Sequence, residues 1–218
     1  MKDTKFLQRL EIADTEKLVE STYHEMLRDN FEGKILTPQG TDGVLYAELI
    51  DGGYSESFSM LIETKYLLDF SKVKTQASIL AQIISYLKKF EDDNREIPQA
   101  VLIGDKNECF VLHSAYLKGY LEKEYDWSIP PSKAYQNTEL VRDITKDKEL
   151  RKKYMIFPID KDFKFDEIGK NIRKIILDEQ VTVSPSPGEL NRVFDIFRAR
   201  VLKPKADGKY ELSIREQV

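Results

Sequence analysis

Gly43-Val44-Leu45-Tyr46-Ala47-Glu48-Leu49-Ile50, Asp51-Gly52-Gly53, and Phe58-Ser59-Met60-Leu61-Ile62-Glu63-Thr64-Lys65 form the stretch that decides the fold. Two apolar runs of strand length flank a Gly-Gly turn signal, which predicts an antiparallel hairpin. Side chains alternate across a strand, so Glu63 and Lys65 project from one face and Ile62 and Thr64 from the other. In such a hairpin the start of the first strand lies beside the end of the second, which makes Asp42 and Glu63 neighbours.

Upstream, residues 14–31 read as an amphipathic helix, with Leu18, Val19, Tyr23, Met26, Leu27 and Phe31 at helical spacing. Downstream, residues 72–90 read as a second helix. It is apolar on more than one side, as expected of a buried element. Gln99–Gly104 and Glu108–His113 read as further strands around an Asp105-Lys106-Asn107 turn. The order α-β-β-α-β-β predicts an α/β fold, a mixed central sheet flanked by helices. Beyond residue 114 the pattern weakens. Residues 115–140 are aromatic and irregular, and Trp127 with Tyr116, Tyr120, Tyr125 and Tyr135 reads as a small second core rather than a base-stacking platform. Residues 146–154 read as a charged helical stretch, 155–159 as a short apolar run, and 164–180 as a basic helix. Ser184-Pro185-Ser186-Pro187-Gly188 is a linker signal, and 189–202 reads as a last amphipathic helix. The expected domains are a core over 1–128, a basic, mostly helical C-terminal appendage over 129–183, and a linker with a terminal helix over 184–218.

The 218 residues are 41% hydrophobic and 33% charged, which is enough apolar material for a core and excludes collagen-like and disordered classes. The net charge of −4 is uneven. Residues 1–70 carry 7 Lys/Arg against 14 Asp/Glu, while residues 140–218 carry 18 against 14. A lone cysteine, Cys109, excludes an internal disulfide framework and points to a reducing, cytoplasmic home. No apolar segment approaches the length of a membrane span. His24, His113 and Cys109 do not form a zinc spacing pattern.

The chemistry centres on Glu63-Thr64-Lys65. An acid-x-Lys triplet occurs five times in the chain, but only this one closes a strongly apolar strand. Asp42, Glu63, the Thr64 carbonyl and waters suit an octahedral Mg²⁺. Such an ion polarises a phosphate oxygen and lowers the pKa of a bound water. Lys65 would hold that water, help deprotonate it, or stabilise the developing charge. On the following helix Gln82 and Tyr86, four apart, share one face.

Asp42, Glu63-x-Lys65 at a strand end and Gln82-x-x-x-Tyr86, in this order, resemble the PD-(D/E)XK nuclease superfamily. The Gln-x-x-x-Tyr element is similar to that of its RecB-like branch, and the arrangement is most similar to N-terminal nuclease domains of restriction–modification enzymes. The resemblance covers about residues 14–113. Thr41 stands where the motif's proline would be, and the Asp42-to-Glu63 interval is long for the family. The resemblance implies a restriction-endonuclease-like fold and Mg²⁺-dependent DNA cleavage, with Mn²⁺ as a substitute. It implies metal ligation by Asp42 and Glu63, a water-directed role for Lys65, and site support or DNA contact from Gln82 and Tyr86. Many members add a glutamate from the first helix. Glu16, Glu20 and Glu25 are the candidates, and Glu20, bordering the apolar face, is favoured.

The chain has no phosphate-binding Gly-x-x-x-x-Gly-Lys-[Ser/Thr] loop and no Asn/Asp-Pro-Pro-Tyr/Phe methylase motif. A methyltransferase or specificity domain would then lie C-terminal to it, and a homodimer would supply the two sites that double-strand cleavage needs. The competing expectations are a non-catalytic DNA-docking or protein-interaction module on the same fold, and a repair-type nuclease.

Overall fold

In the computed structural model the described residues are 3–31, 33–38, 40–51, 54–176, 202–204 and 210–212. Helices α1 (Asp3–Ile12) and α2 (Glu16–Phe31) come first. Strands β1 (Lys34–Leu36), β2 (Gly43–Asp51) and β3 (Tyr54–Thr64) follow, then α3 (Val73–Asp92), β4 (Ala100–Gly104) and β5 (Glu108–His113). Next come a 3-10 turn at Ser114–Leu117, α4 (Lys118–Leu121), a second 3-10 segment at Pro131–Gln136, α5 (Thr138–Lys146) and α6 (Lys148–Arg151). Strand β6 (Ile156–Pro158) and helix α7 (Phe165–Ile176) complete this part.

The six strands form one mixed sheet in sequence order. All neighbours are antiparallel except β3 and β4, which α3 connects and which run parallel. A parallel pair needs a crossover, and the long apolar run of 73–92 provides it. Alternation along the strands builds two cores. Val44, Leu61, Val101, Ile103, Phe110 and Leu112 pack toward α3 and the helices that follow β5. Leu45, Met60, Ile62, Leu102, Cys109 and Val111 pack with α1, α2 and α7.

The predicted hairpin, the crossover helix and the strand pair beyond it are all present. Among the elements given above, α1, β1, α4 and α5 lie outside the expectations; α4 lies within 115–140, which reads as irregular, and α5 begins there. Helix α1 buries only Phe6 and Leu10, too few positions to produce a visible period in a charged segment. Strand β1 has three residues, with half-buried Ile35 between exposed Lys34 and Leu36, short of any strand signal.

Residues 1–178 form one compact unit, so the expected 128/129 boundary falls inside it. The physical reason is apolar. Leu140, Ile144 and Leu150 complete the core against α3, and Ile168 and Ile172 complete the other. The apolar run at 155–159 supplies β6 rather than an appendage, with Phe157 opposite Cys109. The charged stretch 146–154 is broken at Asp147, whose carboxylate caps α6 by accepting from the Leu150 N–H at 2.8 Å. Tyr120 and Tyr125 are buried in the α3 core, while Tyr135 is exposed.

The second unit is 179–218. In it β7 (Leu202–Pro204) pairs antiparallel with β8 (Tyr210–Leu212), Lys203 opposite Glu211. The linker at 184–188 lies outside the described residues, as does the predicted helix up to residue 201; Leu202 is in a strand. Among the described residues no helix is long and apolar enough to cross a membrane.

Candidate active site

The hairpin register sets Gly43 opposite Ile62. Asp42, one residue earlier, therefore reaches the end of β3. Its Oδ2 accepts the Thr64 N–H at 2.6 Å and the Thr64 hydroxyl at 2.8 Å. Gly43 is closely covered. A Cβ there would lie 2.9 Å from the Ile35 side chain and 3.0 Å from His24 Nε2, so a larger residue would have to displace both.

Glu63 alternates with Ile62 and so turns toward α3, where its Oε1 accepts from Gln82 Nε2 at 2.7 Å. The same amide donates to the Tyr86 hydroxyl oxygen at 3.0 Å. Gln82 thus links Glu63 to Tyr86, as their one-turn spacing allows. Lys65 Nζ lies 2.5 Å from Glu63 Oε1 and 3.0 Å from Glu16 Oε1. Glu63 has no exposed surface, and its Oε2 is buried without a hydrogen-bond partner.

These contacts set the electrostatics. Burial, then the Asp42 charge, pushes the Glu63 carboxyl up to about 8, against the opposing pull of Lys65. Burial works against the Lys65 charge, but Glu63 and Glu16 more than offset it, so the ammonium holds its proton above the usual lysine range. Burial and the nearby Glu63 charge raise the Tyr86 hydroxyl to about 12.

Asp42, Glu63, Thr64, Lys65, Gln82 and Tyr86 are therefore brought to one end of the sheet. The glutamates of α2 divide. Glu16 makes the direct contact with Lys65. Glu20 has a carboxyl raised first by burial and then by Asp42, which places it within the same field. Glu25 points elsewhere, paired with Lys5 at 2.9 Å and with Arg9. Glu16 and Glu20 both border the apolar face of α2, and that position carries no information about where Lys65 ends. His24 was not singled out; its ring is beside Gly43, and burial, then Arg28, lowers its pKa.

Among the described residues no three His, Cys, Asp or Glu side chains gather as a metal set. A magnesium ion asks for less, one or two carboxylates with water and substrate oxygens completing its shell. Asp42 and the unpartnered Glu63 Oε2 are compatible with that demand. No family model, curated protein or solved structure matches the chain.

Proposed function

We propose that this chain is a Mg²⁺-dependent DNA endonuclease domain of the PD-(D/E)XK type, its sheet of the restriction-endonuclease-like kind, acting as the cleavage module of a restriction–modification enzyme. The observation that carries this reading is the hydrogen-bonded chain Tyr86–Gln82–Glu63–Lys65, with Asp42 on Thr64 beside it. Five residues from three separate elements meet at one sheet end in the order the nuclease motif requires.

Asp42 and Glu63 would hold the ion, with the Thr64 carbonyl. When bound, it would supply polarisation of the scissile phosphate and a more acidic water. Gln82 fixes the Glu63 carboxylate by donating to Oε1, while Oε2 stays buried and unpartnered. Lys65, flanked by two carboxylates, keeps its proton and serves as a donor that orients water or stabilises charge on the phosphate oxygens, rather than as the base. Tyr86 accepts from Gln82, so its own O–H is directed elsewhere.

The test is nicking of supercoiled plasmid with Mg²⁺ or Mn²⁺. The wild type is expected to produce open circles, and Asp42→Ala and Lys65→Ala to lose that activity. Nicking that persists unchanged in both variants overturns the reading. Calorimetric titration with Mn²⁺ separates the non-catalytic docking module, which predicts no metal heat at Asp42 and Glu63 together with DNA binding that falls steeply with salt.

A further inference from the structure

The turn between β4 and β5 is built in an uncommon way. Asp105 has no exposed surface, although a residue at a hairpin turn ordinarily faces water. Its Oδ1 makes the local bonds expected of an aspartate in a turn, accepting from Asn107 N–H at 2.7 Å and Glu108 N–H at 2.8 Å. Its Oδ2 goes to a different segment and accepts the Leu68 N–H at 2.6 Å. Glu108 adds a parallel bond, Oε2 accepting from Phe70 N–H at 3.2 Å. The two carboxylates thus seize the loop that leaves Lys65, in which Leu67 takes a left-handed backbone, φ 57°.

The same turn also holds the Lys65 backbone and the helix that carries Glu16. Gly104 O accepts the Lys65 N–H at 2.9 Å. Asp105 O accepts from the Tyr23 hydroxyl at 2.9 Å, and Tyr23 lies two turns along α2 from Glu16. Lys106 Nζ donates to the carbonyls of Glu11 at 3.1 Å and Ala13 at 2.6 Å, just ahead of the helix start that carries Glu16. Strand β3 ends at Thr64, paired with Gly104, so the Lys65 N–H is the last group that the β3–β4 ladder holds. Five residues, 104–108, hold both the backbone of Lys65 and the helix of its second carboxylate partner.

We propose that this turn, centred on Asp105, is the positioning device for Lys65. A buried carboxylate costs desolvation unless its oxygens are filled by N–H groups, and one of those that fill it here belongs to the Lys65 loop. The role of Lys65 in cleavage rests on the nuclease reading. The positioning itself does not, and the experiment separates the two.

Lys65 is part-buried and paired, so it should resist acylation by an N-hydroxysuccinimide ester, read by peptide mass spectrometry with exposed Lys34 as internal reference. In Asp105→Asn one acceptor oxygen becomes a donor, and Lys65 acylation is expected to rise about tenfold with Lys34 unchanged, the scale of one charge-assisted bond. Lys106→Ala, on the wetter side of the turn and not at risk of failing to fold, is expected to raise it about threefold by loosening the start of α2. In plasmid nicking, Asp105→Asn should lower kcat about tenfold and leave KM within about twofold, since the lysine is displaced without loss of a substrate contact. Unchanged Lys65 acylation in both variants overturns the proposal, whatever the nicking result. Raised acylation with no cleavage by any form, wild type included, supports the device and overturns the nuclease reading alone.

Discussion

A carboxylate with no exposed surface sits at the end of β3, next to a second carboxylate and against one lysine. A carboxyl whose folded value is raised binds its proton more tightly in the folded chain. Its stabilising contribution is complete below the ordinary value of 4.5 and is lost as pH rises through about 8. Glu63→Gln should therefore flatten the stability profile between those limits. Above pH 8 it should unfold later in urea than the wild type, by about 1–2 kcal/mol after the lost ion pair with Lys65 is discounted. A variant less stable than wild type at high pH would show that Lys65 outweighs burial at this site. For activity, Asp42→Asn keeps an acceptor for Thr64 and should fold, yet plasmid nicking is expected to fall about 100-fold; Lys65→Met should do the same, the scale of removing one transition-state contact. Glu25→Gln, on the far side of α2, should leave nicking within about twofold, the size of a surface ion pair to Lys5 and Arg9.

At the scale of elements, α2 approaches the sheet most closely at the end of β4. A Cβ on Gly104 would meet the Tyr23 ring at 2.5 Å, so the strand end is glycine because the helix lies directly on it. Gly104→Ala must push Tyr23 away and break its bond to Asp105, which should lower stability by about 1–3 kcal/mol in thermal or urea unfolding. Tyr23→Phe removes only the hydroxyl and should cost about 1 kcal/mol. If both variants matched the wild type, α2 would not be anchored through this contact. The same pair shows why the site was only half legible. Glu63 and Lys65 are two apart on a strand, and Gln82 and Tyr86 four apart on a helix, so local periodicity aligns them. Glu16 and Asp105 lie 49 and 40 residues from Lys65 in the chain, and no local period relates them.

For the whole molecule, the sheet is closed on both faces by late segments. Leu140, Ile144 and Leu150 cover α3, and Ile168 and Ile172 cover the opposite face with α1 and α2. A chain ending at residue 128 would leave both cores open to water. It is expected to show no cooperative thermal transition by far-UV circular dichroism, whereas a chain ending at 178 should unfold in a single step. A cooperative melt from the shorter chain would mean that 129–176 is an accessory to a self-sufficient core.

The amino-acid sequence alone determined the mixed α/β class, the hairpin, the buried crossover helix and the neighbourhood of Asp42 with Glu63. Each follows from a short-range period or a turn whose geometry is set within a few residues. Tertiary structure alone decided that Glu16 rather than Glu25 meets Lys65, that Asp105 is buried on the loop beyond it, and that 129–176 finishes the two cores. Those outcomes depend on which surfaces meet after the chain has folded back. Apolar burial drives that meeting without direction, so residues far apart in sequence become neighbours that no local pattern encodes.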